Sequence, residues 1–151
     1  MFLANQITLP QNARWLPFDP AIITKIEPDT TESQQEIIKL KSSYGPSAVL
    51  EVNGQPLVAA GMFKMSKDYV EVWALVNPEL KHKYPILLTR KIKQLLDIYA
   101  ISEGLRYVFM FVESARVGAV GWAYSLGFYK SGRIEIFADP GSNVFIFRKD
   151  F

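Results

Sequence analysis

The feature that most constrains this chain is an amphipathic helix set between two strand-like runs. Leu88, Ile92, Leu95, Leu96 and Tyr99 recur at i, i+4, i+7, i+8 and i+11, which places them in one apolar stripe of a helix. Arg90, Lys91, Lys93, Gln94 and Asp97 fall on the other face. Pro85 suits the first helical turn and Gly104 the left-handed residue past the end. Before the helix, Val70, Val72, Ala74 and Val76 alternate with Glu71, Trp73 and Leu75, the period of a strand. After it, residues 107–112 (YVFMFV) form an apolar run short enough for a buried strand. Strand, helix, strand at this spacing implies a right-handed crossover joining two parallel strands.

Around that unit the pattern is antiparallel. Residues 48–52 read as a strand, Asn53-Gly54 as a two-residue hairpin turn, and residues 57–65 as the returning strand. Lys67-Asp68 turns the chain into residues 69–76, and Asn77-Pro78 closes that strand. Residues 34–42 predict a short helix ending near Gly45, and residues 115–126 a second one stopped by Gly127. Strands over 133–138 and 143–149 flank the turn Asp139-Pro140-Gly141-Ser142. Pro10, Pro17, Pro20 and Pro28 leave residues 1–33 room for a short strand at 6–9 and a turn or helical stub. Trp15, Leu16 and Phe18 make that arm too apolar to be a free tail, so it is expected to pack on an edge of the core. The expectation is one domain over 1–151 of α+β class, an α/β sandwich: a mixed, mostly antiparallel sheet with helices on both faces.

Composition narrows the chemistry. The 151 residues are 49% hydrophobic and contain no cysteine, which excludes disulfides, thiolate metal sites and a cysteine nucleophile. His82 is the single histidine, so a histidine metal cluster is excluded and no metal is expected. No nucleophile-elbow pattern surrounds it. A formal charge of +2 argues against nucleic acid as the partner. The start lacks the pattern of a secretory signal and no apolar run is long enough to span a bilayer, so a cytoplasmic protein is expected. The basic group Lys81, Lys83, Arg90, Lys91 and Lys93 suits phosphate or an acidic surface, with a solvated helix face as the commoner explanation. Gly118 and Gly121, within the last helix, are expected to allow close packing on the sheet or against a bound ligand or partner. Trp15, Phe18 and Trp122 offer a partner surface, ordinary burial being the default.

Two segments carry a family resemblance. Residues 76–88, VNPELKHKYPILL, resemble the pattern V-x-P-E-Y-R-G-K-G-I-G-x-x-L of the GNAT acyltransferase superfamily. Ala119 followed by residues 122–128, WAYSLGF, resembles that family's A-x-x-l-Y-e-k-l-G-F. With the strand order, the resemblance covers residues 48–149. It implies acetyl-CoA as cofactor, its pyrophosphate at a helix N-terminus and its pantetheine arm along the fourth strand, here Ala74, Leu75 and Val76. At the phosphate loop Lys81 stands where the family has Arg or Gln, and His82, Tyr84 and Ile86 stand at glycine positions. Bulk there holds the backbone away from a phosphate, and Pro85 removes a donor. Lys81, His82 and Lys83 keep positive charge that can hold phosphate by side chains.

The catalytic side also departs from the family. Ala123 occupies the position of its general-acid tyrosine, Tyr124 being one residue and about 100° away on the helix. Arg116 stands where an asparagine is frequent. Glu71 or Glu113 can serve as base by position; the alternative for Glu71 is an ordinary solvent-facing strand glutamate. Two readings follow. One is a CoA-dependent N-acetyltransferase acting on an amine of a protein or small molecule. The other, towards which these losses lean, is a scaffold with a degenerate acetyl-CoA site that binds a protein partner, similar to short GNAT-like proteins of tailed bacteriophages. The partner would then be in the host cytoplasm or the virion, and a homo-oligomer is compatible with either reading.

Overall fold

The computed structural model describes residues 12–135 and 143–151. The strand expected at 6–9 and the turn at 139–142 lie outside them. The elements run β1 (Ala13–Pro17), a 3-10 turn (Pro20–Ile22), α1 (Ile23–Ile26), α2 (Glu32–Ser42), β2 (Ser47–Val52), β3 (Gln55–Ser66) and β4 (Tyr69–Val76). They continue with α3 (Pro85–Glu103), β5 (Tyr107–Glu113), α4 (Val117–Ser125), β6 (Tyr129–Glu135) and β7 (Asn143–Asp150).

One seven-stranded sheet has the order β1-β2-β3-β4-β5-β7-β6. Among the described strands β4 and β5 alone are parallel; the other neighbours are antiparallel. This is the mixed α+β sandwich expected from the sequence. Asn53 (φ 52°) and Gly54 (φ 80°) make the tight turn between β2 and β3, both residues being positive as a type I′ hairpin requires. Gly104 (φ 65°) ends α3. Thr31 caps α2 with a reciprocal capping box to Gln34, and the helix begins at Glu32, two residues before the expected start.

Alternation along β4 splits the apolar residues into two cores. Val70 and Val72 face α3 and α4, in a cluster with Leu88, Ile92, Leu96, Ala123, Leu126 and Phe147. Trp73 and Leu75 face the opposite side, with Ile23, Ile26, Val49 and Ala59. Trp15 and Trp122 pack against the first core and Phe18 against the second, so burial accounts for these aromatics rather than a free partner surface. Among the described residues no helix is long and apolar enough to cross a membrane.

Three expectations need correction. The arm contributes an edge strand at Ala13–Pro17, paired to β2 from Ala13↔Val52 to Pro17↔Ala48; Pro17 is tolerated because it ends an edge strand. β6 begins at Tyr129 rather than 133, because Gly127 (φ 92°) turns α4 straight into the strand. Gly118 and Gly121 do not serve close packing on the sheet: a Cβ at either would meet nothing within 4 Å.

Candidate functional site: the opening between the parallel strands

β4 is laddered to β3 over its whole length, from Tyr69 to Val76. To β5 it is joined by the single pair Glu71↔Phe109. Beyond that bridge the two parallel strands run towards their carboxyl ends without further pairing, leaving the β5-facing backbone groups of β4 unladdered. Ala74 is exposed there, although it lies in a central strand opposite buried Ala60. Leu75 turns into the second core and Val76 packs on the first. Deeper in, a cavity of about 10 Å³ is lined by Val72, Ala74, Met110, Ile92, Tyr99 and Trp122, among other residues. That is room for roughly one water. Trp122 Nε1 donates to Thr89 Oγ1 at 3.1 Å and ties α4 to α3.

The loop between β4 and α3 is built around Asn77. Its Oδ1 accepts from the amides of Glu79 (3.0 Å) and Leu80 (3.3 Å), its Nδ2 donates to Pro56 O (3.0 Å), and its carbonyl accepts from Lys81 N (3.0 Å). Leu80 O takes the amides of Lys83 and Tyr84, both at 3.0 Å. Five loop amides are thus spent inside the loop. Tyr84, the N-cap of α3, makes no side-chain cap, so the amides of His82, Ile86 and Leu87 find no protein acceptor among the described residues.

Lys81, His82 and Lys83 are exposed. Tyr84 packs against the first core, and Lys83 Nζ lies 5.6 Å from its ring centroid. Tyr84 is thus half-buried under the loop. Ile86 is 55% exposed on the first turn of α3.

The remaining candidates separate. Glu71 is not a solvent-facing strand residue: it is 7% exposed, on the side of Trp73, and Lys41 Nζ of α2 donates to its Oε2 at 2.6 Å. A carboxylate held by an ammonium is poorly placed to collect a proton from a substrate. Trp73 packs edge-on against Phe18 at 5.4 Å, and its buried Nε1 has no acceptor among the described residues. Ala123 is fully buried. Tyr124 is 53% exposed, its ring edge-on to Phe147 at 5.2 Å. Arg116, the N-cap of α4, makes no capping bond, and it and Glu113 are exposed at the carboxyl end of β5. Two residues shape the site beyond what the sequence reading gives them. Asn77, read there only as the close of the strand, carries a signal for more, since Asn before Pro favours an Asx turn; Lys41 carries none, because its partner lies thirty residues on.

Lys149 closes the back of α4. Its Nζ donates to Leu126 O at 2.7 Å, and burial pushes its ammonium pKa below the ordinary value. Among the described residues no group of three or more potential ligands could hold a metal ion.

No family model and no curated protein sequence matches the chain. Solved structures do match in fold. An N-acetyltransferase from Staphylococcus aureus Mu50 superposes with a TM-score of 0.67 at 15% identity, over 93% of this chain and 99% of that one. Ribosomal-protein-S5-alanine acetyltransferase from Vibrio fischeri gives 0.69 at 11% identity, over 95% of each chain. A GNAT family acetyltransferase from Elizabethkingia anophelis with acetyl-CoA bound gives 0.67 at 10% identity, over 93% and 99%. At these identities the likeness establishes the GNAT fold.

Proposed function

We propose that the protein is an acyltransferase that takes its acyl group from a pantetheine thioester, with acetyl-CoA as the reference donor, and passes it to an amine. The observation that carries this reading is the unladdered stretch of β4 after Glu71, with Ala74 exposed in a central strand. Protein interiors rarely leave central backbone groups unpaired without a use. A pantetheine arm, with its two amides, is the right chemistry to pair with them, and one structure of the same fold, the GNAT family acetyltransferase from Elizabethkingia anophelis, has acetyl-CoA bound.

In the transfer the amine nitrogen attacks the thioester carbonyl, the C–S bond breaks, and the proton lost by nitrogen goes to the thiolate. The chain's own contribution is mostly positional. The β5-facing backbone groups of β4 within Ala74–Val76 offer hydrogen-bond partners for the arm and its carbonyl, α3 and α4 wall the slot, and Lys81, His82 and Lys83 hold phosphate through side chains. Ala123 supplies no general acid, and Glu71 is engaged by Lys41, so water carries the proton. Such a site accelerates mainly by orientation.

Calorimetric titration of the protein with acetyl-CoA and with S-acetylpantetheine tests the reading. Binding of either ligand, lost in Ala74→Leu, is expected; absence of binding for both at millimolar ligand would remove it. Release of free thiol in the presence of candidate amines then reports turnover.

A second reading is a scaffold that docks a protein partner, in the host or the virion if the chain is of phage origin. The exposed ridge Ile37, Leu40 and Tyr44 on and after α2, each more than half exposed, favours it. Catalytic silence with bound donor, together with partner capture lost in Leu40→Glu, would establish it over the enzyme.

A further inference from the structure

We infer that the donor is delivered on a small acidic carrier protein through a phosphopantetheine arm, rather than as free acetyl-CoA. The inference rests on the proposed β4–β5 slot and concerns what stands outside it. Free CoA presents a pyrophosphate, which needs several converging backbone donors at short range. Here the amides of Glu79, Leu80, Lys81, Lys83 and Tyr84 are consumed within the loop, Pro85 has none, and only those of His82, Ile86 and Leu87 remain without an acceptor among the described residues. A carrier-bound arm brings a single phosphodiester, which one or two lysine side chains can meet as point charges.

The positive charge is also spread further than one nucleotide can use. Residues 79–93 contain five lysines and arginines against one glutamate, while the rest of the chain holds twelve basic against fourteen acidic residues. None of the five is in an ion pair among the described residues. Ile86, Arg90 and Lys93 lie at i, i+4 and i+7, one outward stripe of α3, and all three are exposed. At about 1.5 Å per residue, Arg90 and Lys93 sit roughly 8 and 12 Å along the axis from Pro85. One phosphate at the mouth cannot touch the loop and both of these. A broad acidic protein surface can, with apolar Ile86 at its centre, and unpaired exposed cations are the charge complement it needs.

Binding of three probes decides the matter: S-acetylpantetheine, acetyl-CoA, and an acyl carrier protein bearing an acetylated phosphopantetheine arm. At roughly 0.15 M salt the charged carrier is expected to bind about tenfold or more tightly than acetyl-CoA, with affinity falling as salt rises. Arg90→Glu with Lys93→Glu is expected to weaken the carrier by about tenfold and acetyl-CoA by less than about twofold. Acetyl-CoA binding as tightly as the carrier, or carrier binding indifferent to the charge reversal, overturns the inference and leaves the slot intact. A duplex oligonucleotide binding the stripe more tightly than the carrier also overturns it. Failure of all three thioester probes removes the slot itself, which is a different failure.

Discussion

Lys41 and Glu71 show how a local pattern can hide a long-range decision. Glu71 alternates with apolar neighbours on β4, and the alternation alone permits either an exposed glutamate or a base beside Trp73. The structure overturns the exposed alternative: the carboxylate side chain is only 10% exposed and is held by the ammonium of Lys41, itself 24% exposed. Removing one member strands the other. Lys41→Ala is expected to lower unfolding free energy by about 3 kcal/mol, the usual penalty for an orphaned buried charge, measured by urea titration. Lys41→Met with Glu71→Gln should recover most of it; an unchanged midpoint in Lys41→Ala would mean that the pair is not formed. At the sheet's far side the exposed group Arg148, Tyr129 and Asp150 gives a pH prediction. Arg148 Nε donates to Asp150 Oδ1 at 2.7 Å and the Tyr129 hydroxyl to Oδ2 at 3.1 Å. The Arg148 hydrogen bond, chiefly, holds the Asp150 carboxyl below its ordinary 3.8. The contribution of this group to stability is therefore present above that value and lost as pH falls through the lower, folded value. An NMR titration of the Asp150 carboxyl should give a midpoint below 3.8, moving up in Arg148→Ala.

At the scale of elements, legibility followed locality. β4, α3 and β5 announced themselves because period and punctuation lie within each segment, from the alternating valines to Pro85 and Gly104. The β2–β3 hairpin did so because Asn53-Gly54 dictates its own turn. β1 did not: five residues ending in Pro17 become a strand only because β2 offers an edge. β6 was misplaced for a related reason. Gly127 takes the chain from helix to strand within the three residues 126–128, and residues 130–135 alone look too polar to be sheet. The candidate site was legible as a place, in the loop after β4 and the strand beside it. Its state was not, since neither the single Glu71↔Phe109 bridge nor the inward-turned loop amides leave a mark on residue spacing. α4 supplies a test at this scale. Gly118 and Gly121 face open space, so each costs about 1 kcal/mol of helix propensity for no packing return in the protein. Gly118→Ala and Gly121→Ala are each expected to raise unfolding free energy by up to about 1 kcal/mol. If that helix face walls the donor slot, the same changes weaken donor binding; unaltered binding places the arm elsewhere.

Over the whole molecule the sheet is two blades, β1 to β4 and β5-β7-β6, whose backbones meet at one residue pair. Side chains of the first core hold them together, with α3 and α4 lying across the seam and Trp122 bonded to Thr89 between them. A ligand that fills the opening and pairs with β4 adds contacts across that seam which the unfolded chain cannot offer. Donor binding is therefore expected to stabilise the entire domain. At a ligand concentration about a hundredfold above Kd the gain is about 2.7 kcal/mol, which for a domain of this size raises Tm by roughly 5–10 °C. Hydrogen exchange should localise the effect, with amides of Ala74–Val76 and the N-terminal turn of α3 slowed most. Ala74→Leu separates the seam from the core. Ala74 is exposed, so the leucine enters the opening without overpacking the interior, and the variant should fold with near-normal stability. Its Tm should then no longer respond to acetyl-CoA, S-acetylpantetheine or an acetylated carrier protein. A ligand-induced rise retained in Ala74→Leu would place the donor outside the opening, and with it the chemistry argued for these two strands.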